Sequence, residues 1–174
     1  DHRCGIVHVQ LTRPEQLEAM RTLNLHAYIQ SIFLDYDSRI VRERAGTALA
    51  QTSYAFHSMK CMGLHVSNGT DCPVEYPHPM RGIQCAITRQ PLDGSLPPYR
   101  PEEAMTLEEA LVSYSAEGAY ASFEENTKGK IQPDHLADFV ILSQNPFTVS
   151  PTQLSSITPL ATFLAGKCVY QNGK

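Results

Sequence analysis

The stretch Gly5-Ile6-Val7-His8-Val9-Gln10-Leu11, followed at once by Thr12-Arg13-Pro14-Glu15, decides the fold. The first seven residues are apolar and rich in β-branched side chains, the pattern of a short buried strand. The next four open a helix. Thr12 or Arg13 flanks the cap, Pro14 suits the first helical position, and Glu15 favours the positive end. Leu17, Met20 and Leu23 then recur at helical spacing. The same rhythm repeats twice. Residues 25–31 predict a second strand, residues 48–62 a second helix closed by Gly63, residues 64–69 a third strand, and residues 79–89 a third helix. Strand then helix, three times in succession, is the order of a parallel α/β sheet with right-handed crossovers.

Beyond residue 89 the pattern changes. A polar loop over 90–101 holds four prolines and a glycine. Thr106 with Glu109 forms a capping box that predicts a helix running to about Phe123. Gly129-Lys130 and Pro133-Asp134 are turn signals. Residues 136–142 and 160–165 read as strands, and Gly166-Lys167 turns tightly into Cys168-Val169-Tyr170. These pieces predict a small antiparallel sheet distinct from the βα part.

Composition narrows the function classes. The chain has 174 residues, 42% of them hydrophobic and 18% charged, enough to bury a core and unlike a disordered chain. Its net charge of −4 lacks the basic footprint of a nucleic-acid binder. No run approaches the ~20 apolar residues of a membrane span. The five cysteines (Cys4, Cys61, Cys72, Cys85, Cys168) are odd in number, widely spaced and without a CxxC pair. They predict free thiols, buried or partly buried, in a cytoplasmic protein. The chain starts Asp1-His2-Arg3 without a methionine, which we read as an excised piece of a longer protein.

His8 and Asp71 are the residues whose placement suggests chemistry. Each falls at or near the C-terminal end of a predicted parallel strand, the edge where α/β folds collect ligands. A neutral imidazole can bind a divalent metal, and a carboxylate can bind it or take a proton from its water. Taken singly, such a histidine is more often a hydrogen-bonded core residue, and such an aspartate a turn former. His26 and His65 start strands and read as structural. Glu108 and Glu109 read as a helix start, and Tyr114, Tyr120 and Phe123 as core. Asn68-Gly69-Thr70 matches a glycosylation acceptor, read as incidental. Asn68-Gly69 also matches a hairpin turn, the rival to a third parallel strand.

Several segments together resemble a known family: Asp1-His2-Arg3 with Ile6-Val7-His8-Val9-Gln10; Gly69-Thr70-Asp71-Cys72-Pro73-Val74-Glu75; Pro79 to Arg89; Thr106 to Leu111; and Lys128 to Ile131 with Ala137 to Leu142. In this order they resemble the C-terminal part of a metal-dependent hydrolase of the amidohydrolase superfamily, of the amidohydrolase-3 type. Some members of that branch are called exoenzyme regulatory proteins. The resemblance implies a TIM-type (β/α)8 barrel, with about three of its βα units over residues 1–127. It implies part of a small β-sandwich over residues 128–174. It implies that His8 ends the sixth barrel strand and contacts metal or the reacting centre. Asp71 would end the eighth, bind metal and shuttle a proton. Val7, Thr70 and Ser31 stand where Glu, Ser and Pro are common in the family, which leaves the substrate class open.

The resemblance also implies what this stretch lacks. The family's first-strand His-x-His pair has no counterpart, since no two histidines lie two residues apart. A whole barrel takes roughly 250 residues. The expectation is therefore a C-terminal fragment, inactive and holding no stable metal by itself. The longer parent would be a metal-dependent hydrolase of non-peptide C–N bonds, with zinc as the expected metal and a small molecule as substrate. The alternative is a non-catalytic regulatory or interaction module on the same scaffold. Three strands cannot close into a barrel, so exposed strand edges and the faces of Ile6, Ala27, Ile29 and Val66 predict a homodimer.

Overall fold

A computed structural model describes residues Asp1–Gly173. Two three-stranded sheets organise the chain. The first holds β1 (Gly5–His8), β2 (His26–Ile29) and β3 (Val66–Asn68) in the order β1-β2-β3. All its pairs are parallel, with Ile6 beside Ala27 and Ala27 beside Val66. Asn68-Gly69 is therefore a strand end and not a hairpin turn. The second sheet holds β4 (Phe139–Leu142), β5 (Pro159–Leu164) and β6 (Lys167–Gln171), paired antiparallel as expected.

Local sequence sets the helices. The helix α1 (Pro14–Thr22) starts on Arg13 with Pro14 at its first turn and Gln16 bonded back to the Arg13 amide. It buries Leu17 and Met20, whereas Leu23 falls beyond it and is exposed. A 3-10 turn at Ser31–Phe33 leads into α2 (Leu34–Asp37) and α3 (Val41–Ala50), then α4 (Phe56–Cys61). The single helix expected over 48–62 is thus broken across 51–55. The reason is local: Thr52 and Ser53 hydroxyls donate to the Leu49 and Ala50 carbonyls, and Tyr54 takes a left-handed backbone. Such side-chain bonds compete with helix continuation. The helix expected over 106–123 is split likewise into α6 (Leu107–Ser113) and α7 (Ala116–Ala121), where Ser113 and Ser115 hydroxyls bond back to Ala110 and Leu111. The Thr106–Glu109 capping box is formed.

The helix α5 (Pro79–Thr88) is the centre of the core. It packs on the Ser31–Phe33 turn, on α6 and on the 3-10 stretch Pro151–Ser156. Leu154 from that stretch and Ile157 just after it are fully buried with Phe56, Met59, Ile83 and the strand residues Ala27, Ile29 and Val66. The core is therefore continuous across residue 128.

Two expectations are corrected. Ala27, Ile29 and Val66 do not lie on an opened face: all three are completely buried in this chain's own core, and only Ile6, on the edge strand, is exposed. The cysteines are free, but Cys85 alone is buried, whereas Cys4, Cys61, Cys72 and Cys168 are exposed. No helix among the described residues is long and apolar enough to cross a membrane.

Candidate active site

The site is built on the C-terminal ends of the three parallel strands. His8 is the last residue of β1, and the register carries it beside Ile29 of β2 and on to Asn68 of β3. His8 and the next residue, Val9, both take left-handed backbones, with φ of 71° and 47°. That ends the strand at His8, three residues before the expected Leu11. For a β-branched valine this conformation is strained, and such strain persists only where surroundings hold it. Val9 is buried, and its amide bonds to the Val7 carbonyl.

Gln30, directly after β2, fixes the imidazole. Its Oε1 lies 2.7 Å from His8 Nδ1. An amide oxygen only accepts, so Nδ1 carries the proton and the Nε2 lone pair is left free. This is the arrangement that orients histidines toward metals. The Phe33 ring stacks on the imidazole with centroids 5.8 Å apart. Two polar groups brace the neighbouring strand ends. Asn68 accepts from the Ser31 amide at 3.1 Å and donates to its hydroxyl at 2.9 Å, and that hydroxyl donates to the Gly82 carbonyl.

The loop after His8 is tied down by Gln10. Its side chain donates to Asp37 at 3.0 Å, and the Tyr54 hydroxyl donates to the same carboxylate oxygen at 2.5 Å. Burial, and then Asp37, push the Tyr54 hydroxyl well above the usual phenol range. It stays a proton donor that clamps the loop.

Asp71 lies three residues beyond β3, exposed and in a left-handed backbone. His8 thus ends β1 and Asp71 follows the end of β3, with β2 between those two strands. Among the described residues, no group of three or more His, Cys, Asp or Glu side chains gathers to hold a metal. The donor chemistry available here is one imidazole with a free nitrogen and one exposed carboxylate. His26 and His65 lie at the opposite end, as expected. His26 is buried and bonded to Ser67, and His65 to Glu117 at 2.9 Å. Tyr120 stacks on His65. Phe123, expected in the core, is exposed beside the Arg3 guanidinium. The roles of Gln30 and Asn68 toward this edge were not read from sequence, although a polar residue closing an apolar strand was the available signal.

Comparison with known proteins agrees with this architecture. The model of the Amidohydrolase family matches residues 1–170. The amidohydrolase-type protein YtcJ of Bacillus subtilis is 29% identical over 95% of this chain and 32% of its own length. The N-substituted formamide deformylase of Arthrobacter pascens is 28% identical over 68% of this chain and 21% of its own. Among solved structures, an uncharacterized metal-dependent hydrolase from Pyrococcus horikoshii superposes with a TM-score of 0.73. It is 26% identical, over 84% of this chain and 30% of its own. The chain therefore spans about a third or less of each of these three proteins. With a family match across nearly its whole length, and a parallel α/β sheet that superposes on a solved metal-dependent hydrolase, this chain belongs to the amidohydrolase family.

Proposed function

We propose that this chain is the C-terminal portion of a metal-dependent hydrolase that cleaves non-peptide C–N bonds. On this reading β1, β2 and β3 are the last three strands of a (β/α)8 barrel. Residues 1–127 form the barrel part, and residues 128–174 a segment of a β-sandwich. The observation that carries the proposal is His8, held by Gln30 with Nε2 free, at the same end of the parallel sheet as the turn that carries Asp71. The strained backbone at His8-Val9 supports it, because such outliers cluster at functional sites. The formamide deformylase among the relatives supports the choice of bond.

His8 Nε2 and the Asp71 carboxylate would hold a divalent ion, with zinc favoured by an imidazole and carboxylate donor pair. Such an ion lowers the pKa of its water from about 15.7 to about 7. Asp71 accepts the proton of the attacking water and returns it to the leaving nitrogen, which must be protonated to depart. His8, oriented by Gln30 and Phe33, holds metal or faces the developing oxyanion.

Catalytic zinc sites use three protein ligands, and this chain supplies two, so the isolated 174-residue chain is expected to show no zinc-dependent turnover. The longer protein should hydrolyse simple amides or formamides. Its Asp71→Asn variant should fold but lose most activity, because an amide cannot take the water's proton. The test is turnover of an N-substituted formamide with zinc present. Activity of the isolated chain that vanishes with Asp71→Ala would overturn the two-ligand argument. Near-normal turnover of Asp71→Asn in an active parent would reduce Asp71 to a turn residue. A parent that binds no substrate class of this kind would favour the non-catalytic regulatory or interaction module.

A further inference from the structure

We propose that Cys61 is a base-assisted thiol, a modification site where His57 takes the sulfhydryl proton and Glu109 orients His57, so that small disulfides and soft electrophiles react here first. His57 and Cys61 stand four residues apart on α4, and thus on one face. Cys61 Sγ lies 3.3 Å from His57 Nε2. The other ring nitrogen, Nδ1, is buried without a hydrogen-bond partner and faces Glu109 Oε2 at 3.7 Å. Glu109 comes from α6, and its carboxylate is engaged at the start of that helix. The same Oε2 accepts from the Thr106 amide at 2.9 Å in the capping box. Burial works against the Glu109 charge. The Thr106 bonds and the nearby His57 and Lys60 nevertheless hold its pKa below the usual value. A nucleophile within reach of a base, with the base oriented by a third group, is the arrangement that activates thiols.

The other four cysteines provide the contrast. Cys4 and Cys168 are exposed, but their thiols donate to the His2 and Tyr170 backbone carbonyls and face no base. Cys85 is buried, and burial pushes its thiol well above the usual range. Cys72 is exposed, and no hydrogen bond engages its sulfur among the described residues. Cys61 alone of the five lies within hydrogen-bond reach of an imidazole.

The step balances with a small disulfide as co-reactant. His57 Nε2 accepts the S–H proton, and Cys61 sulfur attacks one sulfur of the disulfide. The S–S bond breaks, and the departing thiolate takes the proton. Cys61 is oxidised to a mixed disulfide while one small thiol is released.

The experiment is competitive labelling of the folded chain with limiting iodoacetamide, read for each cysteine by peptide mass spectrometry. A parallel arm uses oxidised glutathione. At pH 7 Cys61 should label at least about tenfold faster than Cys4 and Cys168. His57→Gln should bring Cys61 down to their rate. Glu109→Gln, which keeps the capping box, should give an intermediate rate. Continued protection of the buried Cys85 from labelling reports that each variant is folded. A Cys61 rate equal to theirs in the native chain, or a lead that survives His57→Gln, would overturn the proposal.

Discussion

His8 and His26 show how two histidines on adjacent strands of one sheet acquire different chemistry. His8, at the C-terminal end, gives its Nδ1 proton to Gln30 and keeps Nε2 free. His26, at the N-terminal end, is almost fully buried, with Nε2 bonded to Ser67 and Nδ1 unpartnered. Two predictions belong here. Gln30→Leu in the longer protein frees the imidazole to rotate, and should cost about 10–100-fold in activity or metal affinity, the usual effect of losing such a partner. Unchanged kcat/KM would show that Gln30 does not orient His8. Burial holds the His26 pKa at about 4, below its ordinary 6.5, with His65 and Arg3 working in the same direction and Glu117 against. A depressed histidine pKa means that the neutral form suits the fold. Its contribution is complete above about pH 6.5 and is lost as the pH falls toward 4, by about 3 kcal/mol. Urea unfolding at several pH values should show that slope, and His26→Gln should flatten it. An equal slope in the variant would place the acid sensitivity elsewhere.

At the scale of elements, α5 is the brace beneath the site. Gly82 lies where a Cβ would collide with the Tyr114 hydroxyl and press on Ser31. Ser31 in turn holds the Gly82 carbonyl and Asn68 at the ends of β2 and β3. Alanine in place of glycine favours a helix by about 1 kcal/mol. Overpacking costs about 1–3 kcal/mol, and the partly buried Tyr114 ring packs against the core. Gly82→Ala should therefore destabilise the chain by about 1–2 kcal/mol, visible as a lower Tm. A raised Tm would mean that Tyr114 shifts freely. The elements also show where sequence reading succeeds and fails. Helix starts at Pro14, Pro79 and Thr106 were legible because caps and prolines act within a turn. The breaks at 51–55 and 114–115 were not. They depend on serine and threonine hydroxyls turning back onto the backbone, an option that the spacing of apolar residues does not record.

At the scale of the isolated 174-residue chain, one edge of β1 has no strand beside it among the described residues. Ile6 and Val7 are exposed, as are Leu11 and Leu23 nearby, along an apolar groove of about 540 Å3. The Ala27, Ile29 and Val66 faces are already covered, so the case for self-association rests on this edge. We propose that two chains pair there. Light scattering at micromolar concentration should give twice the 19.3 kDa of one chain, and Val7→Lys should return it to a monomer, because an edge charge resists strand addition. A native chain that runs as a monomer would overturn the pairing. By itself the sequence determined the parallel α/β order and the separate antiparallel sheet, because these follow from periodicity, caps and turn residues, and the resemblance of several short segments in order pointed to the family. Only the tertiary structure decided which strand face is covered, that the tail's Leu154 and Ile157 join the main core, and that Gln30 fixes His8. It also brought His57 and Cys61 against Glu109. Each of these depends on groups far apart in the chain meeting at a few ångströms, and local patterns hold no information about which distant groups will meet.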